Sequence, residues 1–117
     1  MRLLLVDDSD LIRRAIRRTL EKPNDEIATA GDGLEALRVV ETFDPDVVTM
    51  DISMPNMDGL SCIEGVLRIR PNARILVVSA LKDKPTAVEA IKRGAHGFLL
   101  KPFTADALCA EIADLID

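Results

Sequence analysis

The sequence predicts an α/β fold built from five parallel strands and five helices. Five apolar runs of strand length lie at about residues 2–6, 26–30, 46–50, 74–78 and 97–100. None of them alternates cleanly between apolar and polar residues, and continuous apolarity is typical of parallel strands covered by helices on both faces. Because a helical pattern follows every run, right-handed crossovers would build a doubly wound sheet.

The helices are predicted from apolar residues spaced three and four positions apart. In chain order these residues are Leu11, Ile12, Ala15, Ile16 and Leu20; Leu34, Leu37 and Val40; Leu60, Ile63 and Leu67; Val88 and Ile91; and Leu108, Ile112 and Leu115. Asp32 and Thr104 have side chains suited to N-caps. Pro85 suits the start of the fourth helix and Gly94 suits its end.

Size and composition indicate one compact domain spanning residues 1–117. The 117 residues are 48% hydrophobic and 30% charged, which is enough to bury a core and too apolar for a disordered chain. The sequence has no stretch typical of a signal peptide or a membrane span, so we expect a cytoplasmic protein. Cys62 and Cys109 lack the spacing of a zinc or redox pair, and we expect both to be buried in helices.

The charge pattern argues against nucleic acid as a direct ligand. The net charge is −5, whereas phosphate backbones normally bind clustered Lys and Arg. Gly31-Asp32-Gly33 is not part of a complete phosphate-binding fingerprint. His96, the single histidine, is expected at the surface. The first helix carries arginines opposite its apolar face, which we expect to be solvated or to meet an acidic partner: Arg13, Arg14, Arg17 and Arg18.

Polar side chains lie at the carboxyl ends of four predicted strands. Asp7 and Asp8 follow the first run, Asp51 follows the third, Ser79 the fourth and Lys101 the fifth. In the flavodoxin-like strand order 2-1-3-4-5, the winding reverses between the first and third strands, and ligands bind beyond the strand ends at that point. We therefore expect these side chains to form one cluster.

Three carboxylates in one cluster require something that offsets their repulsion. That repulsion is about 4 kcal/mol for a pair of unit charges about 4 Å apart at an effective dielectric of about 20. Protonation would relieve it, but an all-oxygen site also suits a hard cation such as Mg²⁺. With the cation and Lys101 offsetting charge, Asp51 could attack a phosphoryl group, and Ser79 could donate a hydrogen bond to it.

Each of these residues also has a purely structural explanation. An acid before the first helix could be only its N-cap, although Asp8, Ser9 and Asp10 all qualify and one cap leaves Asp7 over. Asp51 could simply begin the turn that follows it. The lysine could be a solvated loop residue and the serine could bond to backbone. Because all of these residues are predicted at one sheet edge, a functional site is favoured over the separate structural explanations.

Four segments surround the site residues and resemble one known family. They are Val6-Asp7-Asp8-Ser9, Met50-Asp51-Ile52-Ser53-Met54-Pro55-Asn56-Met57-Asp58-Gly59, Val78-Ser79-Ala80 and Phe98-Leu99-Leu100-Lys101-Pro102-Phe103. In this order and spacing they resemble the receiver domain of two-component response regulators, and the resemblance covers the whole chain. The segment at 48–52 is more similar to chemotaxis regulators and to the receiver part of chemotaxis methylesterases than to winged-helix regulators.

The resemblance implies that Asp51 accepts a phosphoryl group from the phosphohistidine of a sensor histidine kinase or a histidine phosphotransfer protein. It also implies a Mg²⁺ site formed by Asp7, Asp8, Asp51 and the backbone carbonyl of Ser53. Within that site Asp8 matches the more direct ligand, and Asp7 matches a residue that acts through water.

The resemblance further implies a switch that reports phosphorylation. Ser79 matches the switch hydroxyl, Lys101 the phosphate-pairing lysine and Phe98 the switch aromatic, and the bond from Lys101 to Pro102 would be cis. The fourth helix, fifth strand and fifth helix would present the output face to a downstream protein or domain. Ser53 and Leu81 match variable positions that influence hydrolysis, and an apolar Leu81 predicts a relatively long-lived phosphoryl state.

The predicted function is a signalling switch that catalyses only its own phosphorylation and dephosphorylation. One rival is a Mg²⁺-dependent aspartyl-nucleophile phosphohydrolase, but Asp51-Ile52-Ser53 lacks the second acid such enzymes use. Another is a receiver-like module that acts by protein binding without phosphate. A stand-alone regulator in chemotaxis or a phosphorelay and the receiver of a longer transcription factor or methylesterase are both compatible with the sequence.

Overall fold

The computed structural model describes residues 1–54, 56–80 and 84–116. In this part of the chain, five strands form one parallel sheet in the order β2-β1-β3-β4-β5: β1 (Arg2–Val6), β2 (Glu26–Ala30), β3 (Val47–Met50), β4 (Arg74–Ser79) and β5 (Gly97–Leu100). The helices between and after them are α1 (Asp10–Leu20), α2 (Gly33–Thr42), α3 (Gly59–Ile69), α4 (Lys84–Lys92) and α5 (Ala105–Ile116). The predicted fold class and strand order are confirmed.

The sheet register brings the carboxyl ends of β1, β3 and β4 to the same edge. Val6 of β1 pairs with Met50 of β3, and Met50 in turn pairs with Val77 of β4. The residues that follow β1 and β3 therefore lie side by side. Since β1 lies between β2 and β3, the winding reverses at this point, as predicted.

The strands are apolar on both faces because each face is covered by helices. Leu4 and Val6 pack into a core layer with α2, α3 and α4, while Leu3 and Leu5 pack into the opposite layer with α1 and α5. All four of these side chains are buried. The strand sequences do not alternate between apolar and polar residues because each face of the sheet packs into its own hydrophobic core.

Side-chain caps define the starts of the helices. The side chain of Ser9 accepts a hydrogen bond from the amide of Ile12, so Ser9, and neither neighbouring acid, caps α1. Asp32 caps α2 and the hydroxyl of Thr104 accepts from Ala107 at the start of α5, both as predicted.

The start and end predicted for α4 are also close to those observed. Pro85 is the second residue of α4, in the first turn, where its missing N–H costs nothing. Gly94 follows the helix with a φ of +115°, a conformation that favours glycine. No helix in the described part of the chain is long and apolar enough to cross a membrane.

Several exposure predictions are wrong. Leu11, assigned to the apolar face of α1, is 74% exposed, and Val88 and Ile91 of α4 are about half exposed. The buried residue of α4 is the small Ala90, which belongs to the core layer formed with α2 and α3. Cys109 is exposed on α5 although burial was predicted.

Other burial predictions are confirmed. Cys62 is buried in α3, where desolvation raises the pKa of its thiol to about 12. His96 is exposed, as expected for a single histidine without a partner of ligand spacing.

Candidate functional site

Three carboxylates meet where β1 and β3 end. One oxygen from each of Asp7, Asp8 and Asp51 lies within 4.8 Å of the others. Asp7 and Asp51 are only 2% and 4% exposed, whereas Asp8 is exposed. The predicted acidic cluster therefore exists, with two buried members and one that faces solvent.

Backbone hydrogen bonds hold the two buried aspartates at the sheet edge. The amide of Asp7 donates to the carbonyl of Ala30 at 3.2 Å, and the amide of Asp51 donates to the carbonyl of Val6 at 2.9 Å. Both residues thus continue the sheet bonding pattern one position beyond their strands. This leaves each side chain at the end of a rigid element rather than on a free loop.

Both carboxylate oxygens of Asp7 are engaged. Oδ1 accepts from the amide of Ser9 at 2.9 Å, and Oδ2 accepts from the ammonium of Lys101 at 2.7 Å. The side chain of Asp8, by contrast, makes no hydrogen bond or ion pair with another described residue. Asp8 is therefore the freer of the two acids to bind a cation.

The environment of Asp51 disfavours its charged form. Burial, and after it the neighbouring carboxylate of Asp7, raise the pKa of Asp51 to about 6, although the ammonium of Lys101 acts in the opposite direction. The Nζ of Lys101 lies 3.7 Å from Oδ1 of Asp51, and the amide of Ser53 donates to the same oxygen at 3.3 Å. One ammonium group thus lies within 4 Å of two buried carboxylates.

The lysine and the predicted switch serine are joined through the backbone. The amide of Lys101 donates to the carbonyl of Ser79 at 2.8 Å, which continues the β4 and β5 pairing. Ser79 is fully buried and is the last residue of β4 rather than the first residue after it. The bond between Lys101 and Pro102 is cis, as predicted.

Phe98 lies on β5, opposite Val77, and is partly buried against the core layer formed with α2, α3 and α4. Its predicted movement stays a prediction, as does the contribution of the Ser53 carbonyl to a metal site. Leu81 lies outside the described residues, so the prediction that it lengthens the phosphoryl lifetime stays a prediction.

Two site-supporting residues were not recognised in the sequence. Gly59 begins α3 directly under the site: a Cβ there would overlap the carbonyl oxygen of Asp51 and lie 2.6 Å from the Cα of Ile52. Arg13 was assigned to a solvated face, yet its guanidinium donates to the backbone carbonyl of Asp7. The glycine within the quoted motif was a usable signal, whereas nothing in the local pattern distinguished Arg13 from its neighbours.

The donor set fits a hard divalent cation. All three side chains offer carboxylate oxygens, the ligand type that Mg²⁺ prefers, and the exposed Asp8 leaves access for water ligands. No sulfur or imidazole from the described residues joins the cluster, which disfavours zinc.

Comparison with known proteins agrees with this geometry. The family described as response regulator receiver domain matches residues 3–113. The chemotaxis protein CheY of Thermotoga maritima is 42% identical over 103 residues, covering 87% of this chain and 86% of that protein. A protein-glutamate methylesterase/protein-glutamine glutaminase of Vibrio cholerae is 41% identical over 121 residues, covering 99% of this chain but 33% of that protein.

A solved structure shows the same fold. The chemotaxis protein CheY4 of Vibrio cholerae has a TM-score of 0.89 and 31% sequence identity, with 97% of each chain covered. Together with the acidic cluster at the switch point of the sheet, these similarities show that the chain belongs to the receiver domain family of response regulators, the phosphorylation-activated switches of two-component signalling.

Proposed function

We propose that Asp51 is the phosphoryl acceptor of this receiver and that Asp7, Asp8 and Asp51 hold Mg²⁺. The observation that carries the proposal is the position of Asp51: a buried carboxylate beside two other acids, with an ammonium 3.7 Å from its Oδ1. The donor would be a phosphohistidine on a sensor kinase or a histidine phosphotransfer protein. A donor of this kind would require the protein to act in the cytoplasm, which is part of the same proposal.

In the transfer step, an oxygen of the Asp51 carboxylate attacks phosphorus and forms an acyl phosphate. The bond from phosphorus to the donor nitrogen breaks, and its electron pair leaves with the imidazole. When bound, Mg²⁺ supplies positive charge that offsets the repulsion between the phosphoryl group and the carboxylates. Asp51 needs its charged form for this attack, so the residues that lower its pKa assist it.

Lys101 would exchange partners during the reaction. Its ammonium contacts Asp7 at 2.7 Å and lies near Asp51, so it is already at the place where new negative charge would arrive. A phosphoryl group adds a charge of about −1.5 to −2 and strong acceptor oxygens, which would attract the ammonium. The backbone bond between Lys101 and Ser79 would couple that movement to the neighbouring strand.

The signal would then reach the output face through Ser79 and Phe98. The Ser79 hydroxyl would donate to a phosphoryl oxygen, and Phe98 would change position as Ser79 moves. Val88 and Ile91 of α4 and Leu100 of β5 are exposed apolar side chains on this face, which suits docking of an output protein or domain. Because only a few kcal/mol separate such states, phosphorylation acts by shifting a population.

The acceptor assignment predicts that Asp51→Asn abolishes phosphorylation. Wild-type protein incubated with Mg²⁺ and acetyl phosphate should gain the mass of one phosphoryl group, and the gain should disappear when the metal is chelated. The variant should gain nothing because an amide is not a nucleophile at neutral pH. Incorporation in both proteins, or in neither, would contradict the assignment and favour a receiver-like module that acts by binding alone.

The switch assignment predicts a different defect for Lys101→Ala. The variant should still bind Mg²⁺, because Asp7, Asp8 and Asp51 supply the oxygen ligands, yet phosphorylation should no longer change the fluorescence of a probe attached to the output face. Titrating both proteins with Mg²⁺ gives the control. A phosphorylation-dependent response of normal size in Lys101→Ala would exclude the proposed role of the lysine.

The same assay separates the switch from an enzyme. A phosphohydrolase would release phosphate from acetyl phosphate with sustained turnover. For a switch, the rate of phosphate release should be limited by the decay of its own acyl phosphate. The relatively long lifetime of the phosphoryl state expected from the apolar Leu81 belongs to the same proposal. Similarity to both a CheY and the receiver part of a methylesterase supports a downstream protein or domain as the output partner.

A further inference from the structure

The segment between β3 and α3 carries Ser53, whose carbonyl is a predicted ligand of the metal. The base of this segment is closed by the amide of Gly59, which donates to the carbonyl of Ile52 at 2.8 Å. Close to that base, the amide of Ser53 donates to Oδ1 of Asp51 at 3.3 Å. The described residues farther along the segment belong to no helix or strand, so their position depends on contacts with other elements.

A hydrogen bond joins this segment to the start of α2. Nδ2 of Asn56 donates to Oδ2 of Asp32 at 2.9 Å, although 24 positions separate the two residues. Oδ1 of the same aspartate caps α2 by accepting from the amide of Glu35 at 2.8 Å. Because the cap already fixes the side chain of Asp32, its second oxygen is a well-placed acceptor for Asn56.

Packing brings the same two elements together. Gly33, the first residue of α2, lies so close to Met57 that a Cβ there would be 2.9 Å from the Cβ of Met57 and 3.0 Å from its carbonyl oxygen. The backbone of Asn56 has a φ of +70°, a conformation that asparagine tolerates better than most residues. Asn56 thus combines the backbone conformation of this turn with a side chain that reaches α2.

We propose that Asn56 and Asp32 are positioning residues for the metal site, because their hydrogen bond fixes the segment that carries Ser53. Neither residue belongs to the acidic cluster itself. The inference rests on the proposed Mg²⁺ site and extends it to α2. Replacing a residue that orients a metal ligand from outside typically weakens metal binding by about 10- to 100-fold. Since the bond between Asn56 and Asp32 is exposed to solvent, we expect the lower end of that range.

The positioning role predicts an effect on metal selectivity. Mg²⁺ demands nearly ideal octahedral geometry, whereas Ca²⁺ accepts more flexible arrangements of oxygen ligands. A segment that is held less firmly should therefore weaken Mg²⁺ binding more than Ca²⁺ binding. A change in the charge of the protein affects both ions alike, since they carry the same charge. The ratio of their dissociation constants consequently reports on the geometry of the site.

Asn56→Gly is the test variant, because it removes the side chain, keeps the net charge and tolerates the positive φ. In calorimetric titrations of the full chain, the dissociation constant for Mg²⁺ should rise about tenfold and that for Ca²⁺ less than about twofold. Asn24→Gly is the matched control. Asn24 also has a positive φ, of +74°, but it lies between α1 and β2, at the opposite end of the strands from the site. This variant should leave both constants unchanged.

Exchanging the two side chains supplies a rescue. Asn56→Asp places a carboxylate against Asp32, and the repulsion between them should lower the preference for Mg²⁺ over Ca²⁺. Adding Asp32→Asn restores the hydrogen bond with donor and acceptor exchanged, and an asparagine at that position can still cap α2. The double variant should therefore regain the wild-type ratio of dissociation constants, which a general loss of stability would not explain.

A measurement on the metal-free protein separates the positioning role from metal binding. Nitrogen relaxation should give a lower order parameter for the amide of Ser53 in Asn56→Gly than in the wild type, and a wild-type value in the double variant. An unchanged order parameter or an unchanged ratio in Asn56→Gly, or an equal change in Asn24→Gly, would overturn this inference alone. A wild type that binds neither ion would overturn the proposed Mg²⁺ site, and this inference with it.

Discussion

Gly59→Ala is expected to destabilise the protein by on the order of 3 kcal/mol, lowering the melting temperature by about 10 °C. The added Cβ would overlap the Asp51 carbonyl oxygen and lie 2.6 Å from the Cα of Ile52. Both obstacles are backbone atoms at the end of β3, so they can yield only by moving the strand end. Because Asp51 moves with it, Mg²⁺ affinity should fall as well.

Gly65→Ala is the matched control. Gly65 is also in α3, but a Cβ there would meet Cδ2 of Leu37 at 2.7 Å, the far end of a flexible side chain. Alanine also favours a helix interior by about 1 kcal/mol over glycine, so the net effect should be small. Thermal unfolding and Mg²⁺ titration of both variants give the comparison. A Gly59→Ala protein as stable as Gly65→Ala would show that the α3 start tolerates a side chain.

Asp51→Asn is expected to stabilise the metal-free protein at pH 7.5, by on the order of 2 kcal/mol. Folding raises the pKa of Asp51 from 3.8 to about 6, so the folded state binds this proton more tightly than the unfolded state. The resulting stabilisation is complete below about pH 4 and is lost as the pH rises through 6. Asparagine does not titrate, so the variant keeps its stability over that range.

Two measurements check this prediction. The difference in unfolding free energy between variant and wild type should shrink as the pH falls from 7.5 to 4. Added Mg²⁺ should stabilise the wild type more than the variant, because removing a carboxylate weakens cation binding. Asp8→Asn, at an exposed acid, should stabilise the metal-free protein much less. A variant less stable than the wild type at pH 7.5 without metal would show that Asp51 is not electrostatically strained.

The strands were predictable because burial on both faces leaves a strong local signal. The strands of this sheet are mainly apolar, and a polar residue directly follows β1, β3 and β5. The site residues were predictable for the same reason, since parallel strands bring those ends to one edge. Asp7, Asp51 and Lys101 thus came together in the structure although 94 positions separate the first from the last.

Exposure on the helices was less predictable. Leu11, Val88 and Ile91 have the spacing of a buried face, but spacing within a helix does not say which side of that helix meets the rest of the protein. In α4 the small Ala90 is the buried residue, and the larger Val88 and Ile91 are about half exposed. Cys109 is exposed for a similar reason, since Leu108 and Ile112 already occupy the buried side of α5.

Residue types and their order along the chain were enough to establish the fold class, the family and the identity of the acidic cluster, because these depend on local apolarity and strand ends. The tertiary structure decided which charges are partnered: Lys101 binds Asp7, Arg13 binds the backbone beside it, and Gly59 leaves room for the Asp51 carbonyl. Such pairings depend on distances between elements far apart in sequence, which no local pattern encodes.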